Sequence, residues 1–240
     1  MPRILDRIQK ANDIKKISNE DYKTLAGEIR EFLLEKVSEH GGHLASNLGV
    51  VELTMALHLF MDFPEDKLVW DVGHQAYIHK ILTGRKEQFD TLRELDGMSG
   101  FPKTKESSAD AFDTGHSSTS ISAALGMARA RDLLKKHNKV VSVIGDGALS
   151  GGMAFEALNN AARLKTNMIV VLNDNNMSIS ENVGGMSAYL GKIRTDVRYG
   201  NFKTGMEHAI MKMPQIGDTV MEHMRRVKES IKRLMVPGML

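Results

Sequence analysis

Apolar residues first recur at helical spacing. Between Asp21 and about His40, Leu25, Ile29, Phe32, Leu33 and Val37 lie three or four positions apart, the stripe of an amphipathic helix. Asn19 or Asp21 is placed to cap it and Gly41-Gly42 to end it. A second helix is predicted from Val50 to Phe60, Pro64 interrupts the chain, and Lys67-Leu68-Val69-Trp70-Asp71 reads as a short strand. Gly73-His74-Gln75 is expected to open a helix ending near Gly84. From Asp96 to Gly115 periodicity gives way to Gly, Ser, Pro and Lys. This reads as a long loop, of a length that is usually functional or mobile.

A small-residue-rich helix is expected from Ser117-Ser118-Thr119-Ser120 to about His137. Two predominantly apolar runs, Val140–Ile144 and Met168–Leu172, then bracket a helical stretch at 151–164. Strands apolar along most of their length read as buried on both faces, as in parallel sheets. The pattern therefore predicts an α/β fold: a parallel β-sheet flanked by helices on both faces. Beyond Gly185 the character changes, and Ile216, Val220, Met224, Val227, Ile231 and Leu234 form one last stripe. Residues 1–240 are read as a single domain, with 186–240 a mobile helical extension.

Composition narrows the function classes. Across 240 residues, 42% are apolar and 26% charged, ordinary for a globular protein. The net charge of +2 gives no electrostatic case for nucleic acid. The basic run from Arg225-Arg226 to Lys232-Arg233 has Glu229 within it and reads as a solvated helix face. No apolar run approaches the ~20 residues that span a bilayer, and the N-terminus lacks a signal-peptide core. With no cysteine, disulfides and thiolate chemistry are excluded. A cytoplasmic protein is expected.

The chemistry gathers at the predicted strand ends. Gly145-Asp146-Gly147 follows one strand and Asn173-Asp174-Asn175-Asn176 the next. A carboxylate and a carboxamide at adjacent strand ends are oxygen ligands for a hard cation such as Mg2+, which keeps open positions for phosphate. The glycines allow close approach of a diphosphate, and the carboxyl ends of parallel strands are where such sheets bind ligands. Taken alone, Asp146 reads as a helix N-cap; the polar run after the second strand turns the reading to a ligand, because buried polar groups need partners. The histidines at Gly42-His43 and Gly73-His74 are candidates beside a phosphate. His40, His58, His79, His137, His208 and His223 are read as structural, Trp70 as core, and the 16 methionines as core filler.

Gly-Asp-Gly followed about 25 residues later by Asn-Asp-Asn resembles the motif shared by thiamine-diphosphate enzymes. The segments Gly42–Gly49, Trp70–Gln75, Thr114–Ser122 and Asn175–Ser180 together resemble the 1-deoxy-D-xylulose-5-phosphate synthase family over nearly the whole chain. The resemblance implies that Asp146 and Asn175 give side-chain oxygens to Mg2+, and Met177 its backbone carbonyl. It implies that Gly147, Ala148 and Asn175 bind the cofactor diphosphate, and that Gly115, His116 and Ser117 line the cofactor. His74 would contact the diphosphate or the reacting end of thiamine, and His43 would assist proton transfer near the substrate.

The implied reaction joins pyruvate to glyceraldehyde 3-phosphate for isoprenoid, thiamine and pyridoxal phosphate synthesis, in a homodimer. Members of the family are several hundred residues longer. Their further domains grip the aminopyrimidine, supply an activating glutamate and bind the aldehyde phosphate. The chain is therefore expected to stop before the second and third domains and to be inactive alone. The alternatives are the N-terminal subunit of a split transketolase and a non-catalytic dimerisation or folding fragment.

Overall fold

Alternation along two short strands sets the architecture. The computed structural model describes residues 3–174. In it β1 (Lys67–Trp70), β2 (Val140–Gly145) and β3 (Ile169–Asn173) form a parallel sheet in the order β1-β2-β3. Leu68 and Trp70 of β1 share one face with Val141 and Val143 of β2 and pack on Leu57 and Met61. Val69 and Val140 point the other way, onto Ala124 and Ala128. Period-2 side-chain alternation thus explains why β1 and β2 are predominantly apolar: both of their faces are covered. The α/β fold expected from the sequence is the observed one, while the helical stripe expected over 186–240 lies outside the described residues.

The N-terminal helices make a second core. The stripe Leu25, Ile29, Phe32, Leu33 and Val37 of α1 (Tyr22–His40) is buried against Val51, Ile78, Ile81 and Phe89. Gly41 ends α1 with φ 72°, its N–H donating to the Val37 carbonyl at 2.9 Å. The expected capping residues Asn19 and Asp21 instead lie in a 3-10 turn, with no side-chain cap bond at Asp21. A short helix, α2 (Leu44–Leu48), precedes α3 (Val51–Phe60). Where a helix was expected to open at Gly73, α4 (Tyr77–Lys80) begins only at Tyr77. Residues 72 and 73 have positive φ, which no α-helix accommodates. A wound turn at Ile81–Arg85 follows α4.

The small-residue helix is α5 (Ser120–Leu133), shorter than expected. After β2 come one turn of helix, α6 (Asp146–Leu149), and then α7 (Gly152–Leu164). The long loop 96–115 contains no helix or strand, as expected, but it is anchored. Asp110 receives Arg85 at two positions, 2.7 Å each, and accepts the Lys103 N–H at 2.8 Å. Glu106 pairs with Lys80 and Arg85 and accepts the Ser99 N–H at 2.8 Å. His79 sits between Asp110 (3.1 Å) and His58 (2.9 Å), both imidazoles fully buried. The structural reading of His58 and His79 and the core reading of Trp70 hold.

Candidate functional site

Each strand end contributes one wall. Beyond β1, Asp71 donates its N–H to the Val143 carbonyl at 2.8 Å, and the chain then reverses. Gly73 N–H reaches back to the Asp71 carbonyl at 2.6 Å around Val72, whose φ is 60°. A β-branched residue in that region is strained, and such strain gathers at functional sites. Gly73 has φ 95°, and a Cβ on it would collide with Thr114 Oγ1 and Pro102. Only glycine fits here, and the turn is pressed against the anchored 96–115 loop.

Asp71 is 1% exposed. Its carboxylate accepts the N–H groups of Ser118 at 2.8 Å and Ser120 at 3.1 Å. Backbone donors at the start of α5 thereby stabilise a buried negative charge, and the charge fixes the loop that carries Gly115, His116 and Ser117. All three are exposed, and a Cβ at Gly115 would meet nothing within 4 Å. The Ser118 hydroxyl donates to the Ala148 carbonyl at 2.7 Å. That bond lays the loop against Asp146, Gly147 and Ala148, which occupy the first turn of α6. First-turn N–H groups have no intrahelical acceptor. A Cβ on Gly151 would collide with Ser118 Oγ, so glycine is required for this closeness.

The histidines meet through Asn47, which is fully buried. Its Nδ2 donates to the carbonyls of His43 (2.6 Å) and His74 (2.7 Å), and its Oδ1 accepts the Tyr77 N–H at 2.8 Å. One carboxamide therefore holds both histidine segments and starts α4. The two rings lie edge to face with centroids 5.7 Å apart. Burial, and then the Arg93 guanidinium, hold the His43 imidazole below its ordinary range. For His74 burial and then His43 act the same way, against an opposing pull from Asp71. Both are neutral at pH 7 and able to accept a proton. A cleft of about 320 Å3 opens beside His43 and Phe101.

At the far side, Asn173 stands in register with Gly145. Its Nδ2 donates to Gln75 Oε1 at 3.1 Å. Among the described residues His74 Nδ1, Gln75 Nε2 and Thr114 Oγ1 are buried without hydrogen-bond partners. Orphaned polar atoms beside an open glycine loop fit an oxygen-rich ligand. Asn175 and Met177 lie outside the described residues. Asp71, Asn47, Gln75 and Ser118 were missed as individual residues; their signal was membership in the motifs that carry His43, His74 and Gly115.

Residues 5–240 match the model of the family described as 1-deoxy-D-xylulose-5-phosphate synthase. Proteins bearing that name are similar along the whole chain. The one from Lachnoclostridium phytofermentans is 70% identical over 240 residues, that from Clostridium kluyveri 59% over 239, and that from Alkaliphilus oremlandii 59% over 240. In each case 100% of this chain is covered, and the chain spans 38% of the relative's length. A match of this extent, over the same segments that build the site, shows that the chain belongs to the 1-deoxy-D-xylulose-5-phosphate synthase family.

Proposed function

We propose that this chain forms the diphosphate and Mg2+ half of a thiamine-diphosphate site serving the decarboxylative condensation of pyruvate with glyceraldehyde 3-phosphate. The observation that carries the reading is the convergence at the carboxyl ends of the three strands. The β1 end with His74, the Gly145-Asp146-Gly147 turn and the Asn173-Asp174 end are tied together through Asp71–Ser118–Ala148 and Gln75–Asn173. Asp146 supplies a carboxylate to Mg2+, with Asn175 and the Met177 carbonyl completing the protein ligands. Gly147 and Ala148 face the diphosphate with backbone N–H groups, and Gly115, His116 and Ser117 line the cofactor.

When bound, thiamine diphosphate supplies a nucleophilic carbon and a sink for the electron pair released on decarboxylation. The chain's own residues bind and orient. Asn47 fixes His43 and His74 relative to each other. His43, neutral at pH 7 and exposed to the cleft, takes up or returns a proton at the substrate oxygen. His74, deeper, contacts the diphosphate side.

The remaining domains, the homodimer and a cytoplasmic location belong to the same proposal. On α5, Ala124 and Ala128 pack on the sheet, while Ser122, Gly126 and Ala130 leave a small-residue face exposed for a second copy. No helix among the described residues is long and apolar enough to cross a membrane. The deciding experiment is calorimetric titration of thiamine diphosphate with and without Mg2+, using Asp146→Ala as control. Mg2+-dependent binding lost in the variant is expected; binding that ignores both Mg2+ and the substitution would sink the reading.

A further inference from the structure

The Gln75 side chain stands out among the polar groups of the crevice. It follows His74, is 2% exposed, and comes from the β1 side of the sheet. Asn173, its partner at 3.1 Å, ends β3. Since β2 lies between those strands, the bond crosses the carboxyl end of β2 at Gly145. No side chain intervenes there, and a Cβ built on Gly145 would meet only the Asn173 carbonyl, at 4.0 Å. The bond therefore spans the carboxyl end of β2, where Asp146 follows Gly145 in sequence. The Gln75 oxygen is engaged by Asn173, while Nε2 of the same carboxamide is buried with no partner among the described residues. A buried amide donor without an acceptor is unfavourable. A side chain held in place by its oxygen, with its N–H groups unspent, is preorganised to donate.

We propose that Gln75 is a further binding residue of this site, oriented by Asn173 and donating from Nε2 to a phosphate oxygen of the Mg2+-bound diphosphate. The proposal rests on the cofactor reading above. A neutral amide is the group this position requires: it offers a donor to an anion, where a carboxylate of the same shape would repel it.

Glutamate at this position separates binding from a merely structural bridge, because it still accepts from Asn173 but cannot donate. The 240-residue chain is titrated calorimetrically with thiamine diphosphate in excess Mg2+, comparing wild type, Gln75→Glu, Gln75→Met and Asp146→Ala, with thermal melts of each ligand-free protein. The expected result is affinity weakened at least tenfold in both Gln75 variants; if the glutamate variant fails to fold, the neutral methionine variant decides. Gln75 variants that fold and titrate like wild type, while Asp146→Ala loses binding, overturn the role of Gln75 and leave the cofactor reading standing. A folded wild type that binds no better than Asp146→Ala overturns the cofactor reading and this proposal with it.

Discussion

The Asp71 carboxylate accepts the backbone N–H of Ser118 at 2.8 Å across 47 residues of sequence. It joins the end of a strand to the loop expected to line a cofactor. Asp71→Asn keeps the shape but loses the charge that the two backbone donors solvate. A loss of about 1–3 kcal/mol is expected, read as a lower denaturant midpoint with unchanged slope. An unchanged midpoint would show that the charge is immaterial to the loop.

Asn47 is a stricter case. Asn47→Asp retains the acceptor for Tyr77 N–H but leaves the carbonyls of His43 and His74 facing a carboxylate. Destabilisation of about 2–4 kcal/mol follows from the loss of two buried hydrogen bonds and the burial of a charge. Imidazole resonances of His43 and His74 should broaden or shift together. Unperturbed spectra would argue against a shared tether.

The Arg85–Asp110 pair anchors the 96–115 loop from inside. Removing one partner leaves a buried charge uncompensated, so Arg85→Met should cost about 3–5 kcal/mol. Limited proteolysis should then cut the variant within the loop before it cuts elsewhere. Resistance equal to wild type would place the anchor somewhere else.

Acid should destabilise the protein before any carboxylate titrates. His58, His74 and His79 are held below their ordinary value of 6.5, in each case with burial as the largest cause. Above 6.5 both folded and unfolded states carry these groups neutral, and no difference arises. As pH falls below 6.5 the unfolded chain binds protons that the folded one refuses, so stability falls, down to the depressed folded pKa values. The denaturant midpoint at pH 5 should lie below that at pH 7.5; equal midpoints would contradict the burial.

The positions of the strands, the α1 stripe and the strand-end motif were legible because a predominantly apolar run ending in a polar turn and a period of 3.6 leave strong marks in Val140–Ile144 and in Leu25 to Val37, although β3, read as a buried strand, is largely exposed. The opening of α4 was not. Gly73-His74-Gln75 is permissive in sequence, and its turn is imposed from a distance by Asn47 and Thr114. The anchoring of the long loop was equally hidden, since Arg85, Glu106 and Asp110 have no periodic relation. His43 and His74 could be named from their motifs, but what brings their rings together is one amide in a neighbouring helix.

The order β1-β2-β3 carries a consequence for synthesis. Lys67 pairs with Val140, and Asp66 with Lys139, about 73 residues later. At ribosomal rates of about 5–20 residues per second, β1 waits roughly 4–15 s for the only neighbour it has among the described strands. Until α5 emerges with Ala124 and Ala128, Leu68, Val69 and Trp70 have only the elements made before it to shelter them. The α1–α3 core closes once Ile78 to Met98 have been made, and it is then the scaffold on which the nascent strand is held until the rest of the sheet leaves the ribosome.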